Sequence, residues 1–308
     1  MKIGIDVFGG DYAPSIPLEG IKLLIKEWPS DLRLFLFGEK KIIESELKDV
    51  PTNKIEIVNA TEVITMEDIP HVSFSQKNNS SLVLGFKYLK EGHIDGFCSA
   101  GNTGAMLIGA TQVIGLIEGI IRPCIASFIP RLNTNPGLIA DVGLNPDAKP
   151  EILLQYAHLT SKYLKYNFNI ENPRIALLNI GTEPEKGNIV VKATYELMKN
   201  DPKINFIGNI EGYDLFSDKY DIVICDGFIG NILLKFGESF YRLLKQRKIN
   251  DEFFEMMNFE KYGGAPILGI QKTIVVGHGS STPVAIKNMI LLTYKISKSN
   301  LIYYLKNN

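Results

Sequence analysis

The feature that most constrains this chain is a repeated unit: a short apolar run, a glycine-rich turn, then a longer amphipathic segment. KIGID (2–6) leads to a predicted helix over 15–28, LRLFLFG (32–38) to one over 39–48, and KIEIV (54–58) is a third strand. IDGFCSAGNTG (94–104) runs into a helix over 103–117, while PCIASFI (123–129) and GLIADVG (137–143) precede a helix starting after Pro150. RIALLNIG (174–181), INFIGN (204–209), DIVICDG (221–227) and TIVVGHG (273–279) continue the series, and Ser281 or Thr282 before Pro283 marks the start of the last helix. Strands that are apolar at nearly every position are buried on both faces, as in a parallel sheet covered by helices. The expected fold is therefore α/β, a three-layer α/β/α arrangement with a mainly parallel sheet. It is read as one domain over 1–308 with room for a pinch into two lobes.

One stretch breaks the alternation. Residues 236–262 (FGESFYRLLKQRKINDEFFEMMNFEKY) read as a helical excursion. Its bland reading is core cover or self-association. Its sharper reading is a partner or membrane-surface contact, since Arg242, Lys245, Arg247 and Lys248 adjoin Phe253, Phe254, Met256 and Met257.

Charge and residue usage remove several function classes. A net charge of -1 provides no basic face for nucleic acid. Cys98, Cys124 and Cys225 are odd in number and lie in apolar runs, which fits reduced thiols in a cytosol. His71, His93, His158 and His278 show no metal-binding spacing, so no metal site is expected. Asp6 interrupts what a signal peptide would need, and the apolar stretch 105–121 is broken by Thr111, Gln112 and Glu118, so it reads as a buried helix.

Chemistry concentrates in the turns at the strand ends: FGGD (8–11), SAGNTGA (99–105), DVGLN (141–145), NIGTEPEKGN (179–188), GNIEG (208–212), CDGFIGN (225–231) and GHGSS (277–281). Open parallel sheets bind ligands along that edge. SAGNTGA is the sharpest. Gly101 and Gly104 let the backbone approach a ligand, the following helix points N–H groups and its positive dipole end at it, and Ser99, Asn102 and Thr103 offer further donors. A plain tight turn is the competing explanation. There is no Gly-Lys pair and no GxGxxG, which excludes a Walker A loop and disfavours an ordinary dinucleotide site. Lys186 beside Glu183 can neutralise a bound anion. Asp226 either caps the next helix or handles a proton, with Asn231 one turn on, and His278 sits between two glycines.

Together these residues resemble the bacterial phosphate acyltransferases. The resemblance rests on D-x-x-G-G-D-x-A-P at Asp6–Pro14, S-x-G-N-T-G-A at Ser99–Ala105, R-P-x-I-A at Arg122–Ala126 and L-L-N-I-G with a later K-G over 177–187. N-F-x-G-N-x-E-G at 205–212, C-D-G-F-x-G-N at 225–231, Y-G-G-A-P-x-L-G at 262–269 and H-G-S at 278–280 complete it. ADVGLN (140–145) stands where the family has L-D-V-G-A-N, keeping Asp141 and Asn145, and Ser75–Asn79 lacks an arginine of the family's basic run. The resemblance implies a fold like that of phosphotransacetylases and isocitrate-dehydrogenase-type enzymes. It implies a cytoplasmic homodimer with peripheral membrane attachment that moves a fatty acyl group from acyl carrier protein to inorganic phosphate, without a cofactor, for phospholipid synthesis.

Phosphate is already nucleophilic near neutral pH, so such an enzyme must mainly hold an anion beside the thioester and stabilise the oxyanion. The expected phosphate and substrate residues are Ser99, Gly101, Asn102, Thr103, Gly104, Asp141, Asn145 and Glu183. Lys186, Asp226, Asn231 and His278 are the expected catalytic set, and Arg242, Lys245, Arg247 and Lys248 the face for the acidic carrier protein. The alternatives are a phosphotransacetylase using acyl-coenzyme A and a non-catalytic phosphate or nucleotide-binding module.

Overall fold

The computed structural model describes residues 1–307 apart from 49, 51, 133 and 134. It divides into two compact units, residues 1–116 with 260–302 and residues 117–259 with 303–308. Elements are numbered in chain order.

The first unit contains β1 (Lys2–Asp6), α1 (Ser15–Leu24), β2 (Arg33–Gly38), α2 (Lys40–Glu46), β3 (Ile55–Asn59), α3 (Pro70–Gln76), α4 (Ser81–Glu91), β4 (Gly96–Ser99) and α5 (Thr103–Ile108). After α5 the helix widens to a π turn over Gly109–Ile114. β10 (Ala265–Leu268), β11 (Thr273–Val276) and α10 (Pro283–Lys298) also belong here. The strand order is β3-β2-β1-β4-β11-β10, parallel except that β10 runs antiparallel to β11. From β1 the chain moves outward through β2 and β3, then returns to place β4 on the other side of β1. The strand order thus reverses between β1 and β4, where an open α/β sheet leaves a crevice at its carboxyl edge.

Adjacent residues of β4 show the layering. The Phe97 ring meets Phe86 of α4 edge-on at 5.2 Å, whereas the Cys98 thiol neighbours Thr293 of α10. Successive strand residues face opposite sides, so α4 and α10 cover opposite faces. Phe37 joins Phe97 in a second edge-to-face pair at 5.8 Å; each such pair adds about 0.5–1.5 kcal/mol beyond area burial. α4 begins where the Ser80 hydroxyl oxygen accepts the Val83 N–H, and it ends on left-handed Gly92.

The second unit contains β5 (Cys124–Ile129), β6 (Gly137–Ala140), α6 (Pro150–Phe168), β7 (Arg174–Leu178), α7 (Ile189–Lys199), β8 (Asn205–Ile210), β9 (Ile222–Ile224), α8 (Gly227–Gln246) and α9 (Glu252–Glu255). Its strand order is β5-β6-β9-β7-β8, parallel apart from β5 against β6. β8 follows β7 on one side and β9 lies on the other, so this sheet reverses between β7 and β9. The last helix, α11, spans Leu301–Asn307.

The excursion expected over 236–262 is corrected at its start. α8 is a single 20-residue helix that leaves the sheet at Gly227, so residue 236 lies in its middle. The sequence pattern also missed α3, α4 and α11. It missed β10 as well, whose four residues are too short to show a period.

One buried ion cluster fixes the edge of the second unit. Arg131 is 3% exposed; its Nη1 donates to Asp221 Oδ1 (3.0 Å) and to the Tyr220 carbonyl. Arg174 donates to the same carboxylate from Nε (3.0 Å), Nη2 (3.1 Å) and its backbone N–H (2.8 Å). Burial pushes the Asp221 carboxyl up, but the Arg174 and Arg131 hydrogen bonds outweigh it and hold the group below its ordinary 3.8. Asp221→Ala strands a buried guanidinium and is expected to cost about 3–5 kcal/mol in urea unfolding at neutral pH. Because the folded pKa is depressed, the carboxylate's contribution is complete above the ordinary value and is lost as pH falls through the folded one. The variant should lack that acid-side loss when melting is followed downward from about pH 5.

Candidate active site

At the β1/β4 reversal of the first unit the strand ends are tied by one carboxylate. Asp6, the last residue of β1, is 3% exposed. Ser99, the last residue of β4, donates its hydroxyl to Asp6 Oδ2 at 2.7 Å and accepts the Gly101 N–H at 2.9 Å. The Phe8 N–H donates to Asp6 Oδ1 at 3.1 Å. Burial raises the Asp6 pKa, against the opposing effect of the Ser81 and Ser99 hydroxyls and the Phe8 N–H. Gly9 closes over this knot, since a Cβ there would stand 2.5 Å from both Asp6 Oδ2 and Ser99 Oγ. The Asp11 N–H donates to the Gly279 carbonyl at 2.9 Å, which brings the turn after β11 to the same edge. His278 in that turn accepts the Ser280 N–H on Nδ1 at 3.2 Å, with the Ser280 hydroxyl 2.8 Å away. A ring nitrogen that accepts an N–H carries no proton, so neutral His278 holds its proton on Nε2.

This geometry redistributes the expected donors. The Ser99 hydroxyl points to Asp6, and the Gly101 N–H is used by Ser99. Asn102 Oδ1 accepts the Ala105 N–H at 3.1 Å, while Nδ2 donates to the carbonyls of Thr65 and Asp68, each at 3.1 Å. Thr103 is exposed, and it and Gly104 occupy the first helical turn, whose N–H groups have no intrahelical acceptor.

The second unit gathers another set after β6 and β9. Asp141 is fully buried; its Oδ1 accepts the Ile125 N–H (3.0 Å), and its Oδ2 accepts the N–H groups of Leu144 (3.1 Å) and Asn145 (2.6 Å). Burial raises its pKa, with these bonds opposing. Asn145 Nδ2 donates to the Pro123 carbonyl at 2.7 Å, and the Asn145 carbonyl accepts the Gly227 N–H at 2.9 Å. Asp226 caps α8 by accepting the Ile229 N–H at 2.8 Å. The exposed Asn231 lies against Gly143, and a Cβ on Gly230 would fall within the Asp141 carbonyl oxygen. Asp141, Asn145, Asp226 and Asn231 are thus neighbours.

Glu183 and Lys186 stand, exposed, on the loop after β7, the strand next to β9. Both side chains lie over Gly181, and the loop is gripped by two asparagines the sequence reading passed over. Asn179 Nδ2 donates to the Lys186 carbonyl and Asn209 Nδ2 to the Glu183 carbonyl, each at 3.1 Å.

The expected carrier-docking residues Arg242, Lys245, Arg247 and Lys248 are exposed at the end of α8, with Lys245 paired to Glu255. The apolar partners assigned to them are corrected. Phe253 and Phe254 pack edge-on against Phe216 and Phe240, and residues 253–257 are only partly exposed. The exposed apolar surface is a stripe along α8 itself: Ile229, Ile232, Phe236, Phe240 and Leu243. Their three- and four-residue spacing is a helical face, and a helical-wheel reading of 227–246 would have found it.

A family described as "Fatty acid synthesis protein" matches residues 1–252. The phosphate acyltransferase of Dictyoglomus thermophilum is 42% identical, across 97% of this chain and 94% of its own. That of Clostridioides difficile is 41% identical, across 98% and 94%. The chain belongs to the phosphate acyltransferase family. A phosphotransacetylase from Streptococcus pyogenes shares the fold, with a TM-score of 0.66 over 96% of this chain and 94% of that one at 18% identity.

Among the described residues, no group of three or more His, Cys, Asp or Glu side chains could hold a metal ion, and no helix is long and apolar enough to cross a membrane. All three cysteines are buried, and burial pushes the Cys98 thiol up to about 12, so it is not a thiolate near neutral pH. Lys77, in the Ser75–Asn79 run, is committed internally to Asp68 (2.5 Å) and to the Val63 carbonyl (2.8 Å).

Capping and chemistry can be separated at Asp226. Asp226→Ala should cost about 1 kcal/mol through the lost cap, whereas Asp226→Asn keeps the acceptor and the stability. Turnover of the asparagine variant is expected to fall about 100-fold, the scale of a lost proton-handling group. Turnover at the wild-type level with unchanged melting would leave Asp226 a cap alone.

Proposed function

We propose that this chain transfers a fatty acyl group from an acyl thioester of acyl carrier protein to inorganic phosphate. A phosphate oxygen attacks the thioester carbonyl, the carbon–sulfur bond breaks, and the proton of hydrogen phosphate passes to the departing thiolate. The products are acyl phosphate and free carrier thiol. The observation that carries this reading is the Ser99–Gly104 turn, built on the buried Asp6 at the reversal point of a parallel sheet, in a chain of the phosphate acyltransferase family.

The dianion is assigned to the N–H groups and hydroxyl of Thr103–Gly104 in the first unit, and Lys186 in the second unit is assigned to attracting the anion. Ser99, Gly101, Asn102, Asp141 and Asn145 act as scaffold, because their polar atoms are engaged in shaping the loops. Glu183 serves through its carbonyl, which Asn209 holds. In the first unit His278 is assigned to the oxyanion; in the second, Asn231 and Asp226 are assigned to handling the proton that passes to the thiol. The chemistry needs little base strength. Electrostatic placement supplies the rate.

The carrier docks at Arg242, Arg247 and Lys248, with Lys245 contributing less because Glu255 already pairs it. Complementary charge of this kind mainly raises the association rate. A second copy of the chain covers the α8 stripe, giving a cytoplasmic homodimer that works against the inner face of the membrane. Five large apolar side chains along one helix form a patch that a monomer rarely leaves open.

Acyl phosphate formation from palmitoyl-carrier thioester and phosphate, run beside palmitoyl-coenzyme A, tests the reaction and the donor. Product only from the coenzyme A thioester would make the enzyme a phosphotransacetylase. Lys186→Ala is expected to raise the phosphate KM and to lose about 2–4 kcal/mol of transition-state stabilisation in kcat/KM. Phe236→Glu should convert a sedimenting dimer to monomer. A dimer that persists, with vesicle binding lost instead, would assign the stripe to the membrane.

A further inference from the structure

We propose that the 61–69 segment forms the wall that receives the first methylenes of the acyl chain, with Met66 and Ile69 as its apolar surface. Asn102 is the positioning residue that holds this wall against the anion turn. The proposal rests on the acyl-transfer reading and names the substrate-contacting face of that site.

The segment is locked from below. Lys77 Nζ donates to Asp68 Oδ2 at 2.5 Å and to the Val63 carbonyl at 2.8 Å, and the Thr65 N–H donates to Asp68 Oδ2 at 2.8 Å. Glu62 accepts the Asn79 N–H at 2.8 Å. Glu62 and Asp68 are therefore spent on fixing the segment's shape, while Glu67 is exposed and Met66 and Ile69 remain 38% and 60% exposed.

It is then pinned to the anion turn. Asn102, itself 6% exposed, points both Nδ2 hydrogens away from any ligand and into the carbonyls of Thr65 and Asp68, with the Met66 carbonyl at 3.4 Å. A Cβ built on Gly104 would stand 2.5 Å from Pro70 Cγ, so the end of the segment lies directly on the turn. One built on Gly279 would stand 2.9 Å from both the Met66 methyl and Asp11 Oδ1, so Met66 also reaches the turn that carries His278. Met66 thus lies between two of the turns assigned to phosphate and oxyanion.

Covalent geometry supplies the occupant. In the transition state the acyl carbon is bonded to a phosphate oxygen, so the first methylenes must leave from beside the anion turn. The apolar side chains pinned there are those of this segment. A thioether fills irregular space without a fixed shape, which suits a flexible alkyl chain.

The test compares palmitoyl and acetyl thioesters of the same carrier, since acetyl has no methylene to place on the wall, with phosphate varied independently. Met66→Ala and Ile69→Ala together are expected to lower the palmitoyl-to-acetyl ratio of kcat/KM about 10-fold, the loss of roughly two methylenes' worth of apolar contact. Asn102→Ser keeps a cap for Ala105 but cannot reach the 65–68 carbonyls. It should lower the same ratio and raise the acyl-donor KM more than the phosphate KM. An unchanged ratio in the double variant overturns the wall. A phosphate KM that rises alone in Asn102→Ser would make Asn102 a phosphate ligand and overturn its positioning role. Failure of the wild type to form acyl phosphate from either thioester defeats the acyl-transfer reading itself, and the wall with it, an outcome separate from both.

Discussion

A buried carboxylate at the end of a strand organises the first unit. Where the sheet order reverses, β1 and β4 lie side by side and their following loops depart in different directions, leaving donors with no strand partner. Asp6 takes up these donors through the Ser99 hydroxyl and the Phe8 N–H, and Ser99 in turn accepts the Gly101 N–H. Hydrogen bonds to a charged group contribute about 1.5–3 kcal/mol each, enough to offset much of what burial costs the carboxylate. The raised pKa shows that burial still dominates. The consequence is directional: with Ser99 and Gly101 turned inward, the outer surface of the turn consists of N–H groups at a helix start and the Thr103 hydroxyl.

The second unit repeats the device. Asp141 gathers N–H groups from Ile125, Leu144 and Asn145, fixing the loop after β6 so that Asn145 can hold the entry to α8. In both units a buried acidic residue at a strand end, Asp6 in one and Asp141 in the other, is committed to architecture. That suits a reaction whose nucleophile arrives charged. What the protein must supply is placement, and buried carboxylates that clamp loops supply it without presenting negative charge to an incoming phosphate.

The alternation of apolar runs and glycine-rich turns was enough to read the parallel α/β fold, because strands buried on both faces leave a continuous apolar signature. The Thr282 and Asp226 caps were legible for a similar reason: their side chains act on residues three positions away. The antiparallel direction of β5 and β10 was not, since a strand of four to six residues reads the same in either direction. At the site, sequence picks out the strand-end loops but not the distant partners of their side chains. Asn102 looks like a ligand donor until the 65–68 carbonyls, more than thirty positions away, are seen to occupy it. Asn179 and Asn209 lie within quoted motifs, but their work is visible only once the Lys186 loop lies beside them. Long-range partnership leaves no periodic trace.

α8 joins a tightly seated first turn to an exposed apolar face. Its first turn is seated so closely on the Asp141 carbonyl that Gly230 admits no side chain, and its cap is Asp226. Twenty residues at about 1.5 Å rise make a rod of roughly 30 Å. Ile232, Phe236, Phe240 and Leu243 lie along that rod on one exposed face. A helix is stiff and its seat has no slack, so whatever covers the stripe takes up a fixed position relative to Asp226 and Asn231. An apolar stripe on a loop would hold a partner loosely with respect to the reacting atoms. On this helix, covering the stripe and registering the site are a single structural event.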